Sequence, residues 1–179
     1  MSIQSDVKVG FIADENVADP DRLVVAARPN TSATMAETTF LGGGARNVTV
    51  TTTGTSDNAK TCTITGTDVF GNAITEVIVS TGSAEAVAGA KLFLTVSGVE
   101  CSAQYAANIT VGSGSLCASA VAGGNRTRMK GYSIVSAGTA GLVDFYNGTP
   151  EDGTIIFKAQ TLGTDNTTID NTIPDEGIL

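Results

Sequence analysis

The chain has 179 residues, no histidine and no tryptophan, and a formal charge of −8 with a pI near 4.3. That length supports one ordinary domain or two small ones, burying roughly 70% of the unfolded surface without covalent staples. The absence of histidine excludes Ser-His-Asp and Cys-His catalysis and His-containing zinc sites, and the acidic balance lacks the electrostatic footprint of a nucleic-acid binder.

Glycine (21) and threonine (26) together make about a quarter of the chain. Threonine is β-branched and suits a half-buried pleated surface, while glycine supplies turns, so the expected class is all-β. No run approaches 18 consecutive apolar residues, so no membrane span is expected. The opening MSIQSDVKVGFIADENVADPDR has no basic leader followed by an apolar stretch, so no secretory signal is read there. Cys62, Cys101 and Cys117 are odd in number and far apart. They are expected to be thiols serving as small apolar core residues in a reducing compartment.

In chain order, residues 1–30 read as an N-terminal arm or leading strand. Short apolar pieces (Val7 to Ile12, Leu23 to Ala27) flank an acidic cluster of Asp14, Glu15, Asp19 and Asp21, and Pro29-Asn30 closes the segment with a turn signal. Residues 31–118 read as a β-sandwich domain of immunoglobulin-like type. Asn47 to Thr53 alternates valine with threonine, which predicts a strand with one wet face. Lys60 to Thr67 repeats the device around Cys62 and Ile64. Ile74 to Ser80 follows across Asp68–Asn72, and Gly71-Asn72 favours positive φ, so a β-hairpin with a loop of about five residues is predicted. Lys91 to Ser97 and Asn108 to Gly112 are two further predicted strands. Residues 119–130 read as a linker, with Gly112-Ser113-Gly114-Ser115 already belonging to the small-residue stretch before it. Residues 131–179 read as a small C-terminal β domain. Its strands are predicted at Lys130 to Ala137, Gly141 to Tyr146 and Thr154 to Gln160, with a final edge piece, Thr172 to Leu179, limited by Pro174. Such a unit is marginal alone and is expected to pack on something else.

No constellation points to chemistry. Paired acids (Asp165 with Asp170, Glu151 with Asp152, Asp175 with Glu176) lie in turn-like polar surroundings where nothing raises one pKa. Asp165-Asn166, Asp170-Asn171, Asp68 and Asn72 offer oxygen ligands, but none matches the calcium-loop pattern and Asx-turns explain them. Gly42-Gly43-Gly44 lacks the lysine and helix of a phosphate loop and reads as a turn. Arg126-Thr127-Arg128-Met129-Lys130 is a basic cluster that either solubilises a linker or meets an acidic neighbour; no aromatic residue interleaves with it. Six Asn-x-Ser/Thr sequons (Asn30, Asn47, Asn108, Asn125, Asn147, Asn166) read as turn chemistry leading into threonine-rich strands. The expectation is therefore no catalytic residues, no cofactor and no metal site.

The stretch Thr61-Cys62-Thr63-Ile64-Thr65-Gly66-Thr67-Asp68-Val69-Phe70-Gly71-Asn72-Ala73-Ile74-Thr75-Glu76, with the Thr-rich strand before it, resembles a module of virion proteins of tailed bacteriophages. The likeness continues in Lys91-Leu92-Phe93-Leu94-Thr95-Val96, in Ile109-Thr110-Val111-Gly112 and in the closing Ile173-Pro174-Asp175-Glu176-Gly177-Ile178. It covers residues 46–112 and 130–179. The resemblance implies a non-enzymatic structural protein on the outer capsid surface of a virion, assembled in the host cytoplasm. It implies a decoration or cement protein, with the major capsid protein and itself, as a homotrimer, for partners. A tail, neck or head-fibre component is the alternative; a bacterial surface adhesin module ranks third.

Overall fold

The computed structural model describes residues 18–120, 129, 131–137, 140–161 and 165–172, the backbone alone being described for 135–137 and 165–172. It is all-β, and every described strand pair is antiparallel. The chain divides into two compact units, Met1–Val121 and Ala122–Leu179.

The first unit holds β1 (Val24–Ala27), β2 (Ala45–Thr52), β3 (Asn58–Thr67), β4 (Ala73–Thr81), β5 (Ala86–Phe93), β6 (Thr95–Cys101) and β7 (Ile109–Ala118). They form a four-stranded sheet, β1-β7-β2-β5, and a three-stranded sheet, β4-β3-β6. Alternation places Val48 and Val50 of β2 and Ile109 and Val111 of β7 on one inner face. Cys62 and Ile64 of β3, Ile78 of β4, and Val96 and Val99 of β6 line the other. Leu23, Val24, Phe40, Phe93 and Tyr105 complete this core. A constant-type immunoglobulin order would set β1-β2-β5-β4 against β3-β6-β7. Here β7 lies between β1 and β2, and β4 pairs with β3, so the sandwich is present with a different strand order.

The hairpin predicted from Lys60 to Ser80 is β3–β4, closed by residues 68–72 with Gly71 at φ 83°. Three local expectations are corrected. Lys91 to Ser97 is not one strand: Leu94 separates β5 from β6 and carries the chain from one sheet to the other. Leu92 and Phe93, adjacent at the end of β5, are both buried. Gly112 to Ser115 is not linker but the middle of β7, with Thr49 opposite Gly112 and Val48 opposite Ser113. The small residues there answer to close neighbours: a Cβ at Gly112 would collide with Asp19 O and with Pro20, and one at Gly114 with the Asn47 side chain. Nor has β2 a wet face. It is the penultimate strand between β5 and β7, and Arg46, Asn47 and Thr49 are buried beside the valines.

Within residues 1–30, the described part belongs to the sandwich. Leu23 and Val24 are fully buried, Leu23 N–H donates to Val111 O at 2.9 Å, and Ser113 N–H donates to Asp19 O at 2.8 Å. Residues 1–17 lie outside the described residues.

The second unit holds β8 (Gly131–Ala137), β9 (Leu142–Asn147), β10 (Thr154–Gln160) and β11 (Asp165–Thr172), paired as β10-β9 and β11-β8. Tyr132, Phe145 and Phe157 bring these two ribbons together, with ring centroids 5.4–5.6 Å apart in tilted arrangements. The fourth strand thus runs over 165–172, where Thr167-Thr168-Ile169 supplies the β-branched run; the predicted edge piece beyond Thr172 lies outside the described residues.

Candidate functional site

Among the described residues, the buried acids Asp57 and Asp68 are held by backbone amides together with one side chain each. Asp57, in the connection from β2 to β3, is completely buried. Its Oδ1 accepts from Lys60 Nζ at 2.8 Å and Ala106 N–H at 2.6 Å, and its Oδ2 accepts from Ala107 N–H at 3.2 Å. Lys60 also donates to Gln104 O, and its ammonium lies 5.4 Å from the centre of the Tyr105 ring. One carboxylate thereby fixes the loop between β6 and β7 to the start of β3. Burial pushes its pKa up, but Lys60 and the two amides outweigh that, and the carboxyl is held below its usual range.

Asp68 closes the β3–β4 hairpin. Its Oδ1 accepts from Phe70 and Asn72 N–H, both at 2.8 Å, and its Oδ2 from Asn72 Nδ2 at 3.0 Å. Burial again opposes these hydrogen bonds and again loses, so this carboxyl too sits below its usual range. Both carboxylate oxygens of Asp68 are engaged in this Asx-type turn, with Asn72 donating to them.

Two more polar side chains bridge strands. Asn47 is buried where the β2–β5 and β2–β7 registers both shift; its Nδ2 donates to Gly89 O at 3.1 Å and its Oδ1 accepts from Leu116 N–H at 3.0 Å. It replaces ladder bonds lost at the irregularity, so its sequon is turn-and-strand chemistry. Glu76 of β4 accepts from Ala90 N–H at 2.7 Å and Lys91 N–H at 3.3 Å on β5, tying an edge of one sheet to an edge of the other. The β6 edge is covered by the chain's own residues 31–39, through bridges Ser32–Glu100 and Thr39–Thr95.

Cys62 and Cys101 face each other on β3 and β6 with Sγ atoms 3.7 Å apart, and Tyr105 Oη is 3.3 Å from Cys62 Sγ. Hydrogen bonding from Cys101, against burial and with help from Tyr105, lowers the Cys62 thiol. The same contact raises Cys101, and burial raises Tyr105. Cys117, by contrast, is exposed on β7, so the expectation of a core thiol holds for Cys62 and Cys101 and fails for Cys117.

The remaining candidates stay dispersed. Leu41–Gly43 forms a short 3-10 turn with Gly42 at φ 77° and Gly43 at φ 70°, leading into β2. Glu151 and Asp152 lie in the β9–β10 turn, where Asp152 N–H donates to Thr149 Oγ1 at 3.2 Å. Asp165 and Asp170 are on β11 opposite Ala137 and Ser133, in a strand rather than a turn. Asp175, Glu176, Arg126, Arg128 and Lys130 lie outside the described residues. Among the described residues no three acidic, cysteine or histidine groups cluster as a metal site would need, and no helix is long and apolar enough to cross a membrane.

Among the apolar side chains that the first unit presents outward are Val25 of β1, Leu116 of β7 and three on its β3–β4 hairpin. On β4, Val77 and Val79 are 55% and 51% exposed, and Phe70 at the tip is 40% exposed. Their cross-strand neighbours on β3 are Thr63 and Thr61. Compared with family models, curated proteins and solved structures, the chain matches none.

Proposed function

We propose that this chain is a structural protein of a bacteriophage particle that decorates and stabilises the capsid shell. It acts through protein–protein contacts on the outer surface of the virion, with the major capsid protein and with itself, as a homotrimer. It carries out no reaction. The observation that carries this reading is the fate of the motif behind the phage resemblance. Thr61 to Glu76 forms a closed hairpin whose Asp68 and Asn72 hold each other and whose Glu76 is spent on β5. A shared stretch of this kind marks a scaffold, and a scaffold with apolar side chains outside suits contact rather than turnover. Val77, Val79 and Phe70 supply such side chains. Closed symmetry around a local threefold is the economical way to repeat such a contact over a shell.

The test is gold-labelled antibody on purified virions of the phage that encodes the chain. Label spaced regularly over the head supports the decoration role. Label confined to the neck, tail or fibres gives the alternative component, and particles without label overturn both.

A further inference from the structure

We propose that Cys62 and Cys101 form a built-in oxidation site, a dithiol that a small peroxide converts into a disulfide joining β3 to β6. This inference does not depend on the capsid reading. The two residues are direct partners in the antiparallel β3–β6 register. Which kind of partners they are follows from the neighbouring amides. Ser102 N–H donates to Thr61 O, making Thr61 and Ser102 the hydrogen-bonded pair, while Cys101 N–H turns the other way, to Thr31 O. Cys62 and Cys101 are therefore a non-hydrogen-bonded pair, the position in an antiparallel ladder where facing side chains come closest. Both thiols point into the core and already touch, with their sulfurs 3.7 Å apart. Closing that gap to a bond of about 2.05 Å is within the reach of side-chain torsion at the Cα separation such pairs have.

The contacts also say which sulfur reacts first. Cys101 S–H and Tyr105 O–H both lie within donating distance of Cys62 Sγ, so of the two sulfurs these contacts favour the thiolate form on Cys62, which peroxide reaches when the strand pair opens locally. That thiolate attacks one oxygen of hydrogen peroxide, the O–O bond breaks, and hydroxide leaves, giving Cys62 sulfenic acid. The Cys101 sulfur then attacks the Cys62 sulfur; the S–O bond breaks, and the departing hydroxide takes the Cys101 proton as water. Two thiols lose two electrons, and one peroxide becomes two waters. The crosslink encloses β4 and β5, so it staples the crossover between the two sheets. It would remain open in a reducing cytoplasm and close outside it.

The experiment uses the full chain. Folded protein is treated with hydrogen peroxide, quenched, unfolded without reductant, and alkylated. Uptake is expected to fall from three groups to one, with a loss of 2 Da, a peptide joining Cys62 to Cys101, and a Tm higher by roughly 10 °C. In Cys117→Ser the uptake is expected to fall from two groups to none. Dithiothreitol should restore both counts. In Cys117→Ser, two groups still taken up, oxygen adducts without the 2 Da loss, or crosslinks between chains would each overturn the proposal.

Discussion

Asp57 ties the β2–β3 connection, β3 and the β6–β7 loop together through one side chain. It has no solvent exposure and joins Lys60 to the amides of Ala106 and Ala107. Removing it takes the shared acceptor from two partly buried backbone amides and leaves the Lys60 ammonium only Gln104 O, and hydrogen bonds to a charged group are the costly ones to lose. Asp57→Ala is expected to lower unfolding stability by about 2–3 kcal/mol, measured by urea denaturation. The pH dependence follows from the direction of the shifts. Asp57 and Asp68 both titrate below 3.8 when folded, so the unfolded chain binds protons first as the solution is acidified. Their stabilisation is complete above the unfolded pKa and is lost as pH falls from about 4 through the folded values. The Tm of the first unit should therefore be level from pH 5 to 7 and fall below pH 4. The double change Asp57→Asn with Asp68→Asn should flatten that fall while lowering Tm at neutral pH. A wild-type Tm unchanged down to pH 2.5 would contradict both assignments.

The strands divide into those whose cause is local and those whose cause is remote. The β3–β4 hairpin was legible because Cys62 and Ile64 alternate with threonines and Gly71-Asn72 sits at the turn. The break at Leu94 was not, since Leu92 to Val96 reads as one apolar run until the two sheets it serves are known. Gly112-Ser113-Gly114 looked like linker because its composition is that of a linker; its reason lies in Asp19, Pro20 and Asn47, far away in sequence. The Asp57 site was illegible for the same reason, its amide partners lying about 50 residues on, in the loop between β6 and β7. Two predictions belong to this scale. At Gly66 an added Cβ would meet Thr95 O, and at Gly112 Asp19 O. Backbone cannot yield as a side-chain tip can, so Gly66→Ala and Gly112→Ala should each cost about 1–3 kcal/mol in denaturant titration. By contrast Val77→Thr and Val79→Thr, on the exposed face of β4, should change stability by less than about 0.5 kcal/mol. If those valines are a contact face, the same pair of changes should weaken binding to particles in a sedimentation assay.

At the scale of the molecule, the two units differ in what holds them. The main buried cluster, from Leu23 to Val111, lies wholly within the first unit. In the second, Tyr132, Phe145 and Phe157 remain half-buried, and Leu142 is 69% exposed. A fragment of residues 1–121 is therefore expected to reproduce the full chain's main cooperative transition, whereas residues 122–179 alone should melt without a cooperative transition in calorimetry. The all-β class could be read from threonine alternation; the strand order could not, because no local signal sends β7 between β1 and β2. The most direct test of the central claim is a pair of cryo-EM reconstructions, of virions with and without this chain. The account predicts difference density in three symmetry-related copies on the outer capsid surface, into which the sandwich fits. Identical heads in the two maps would contradict it.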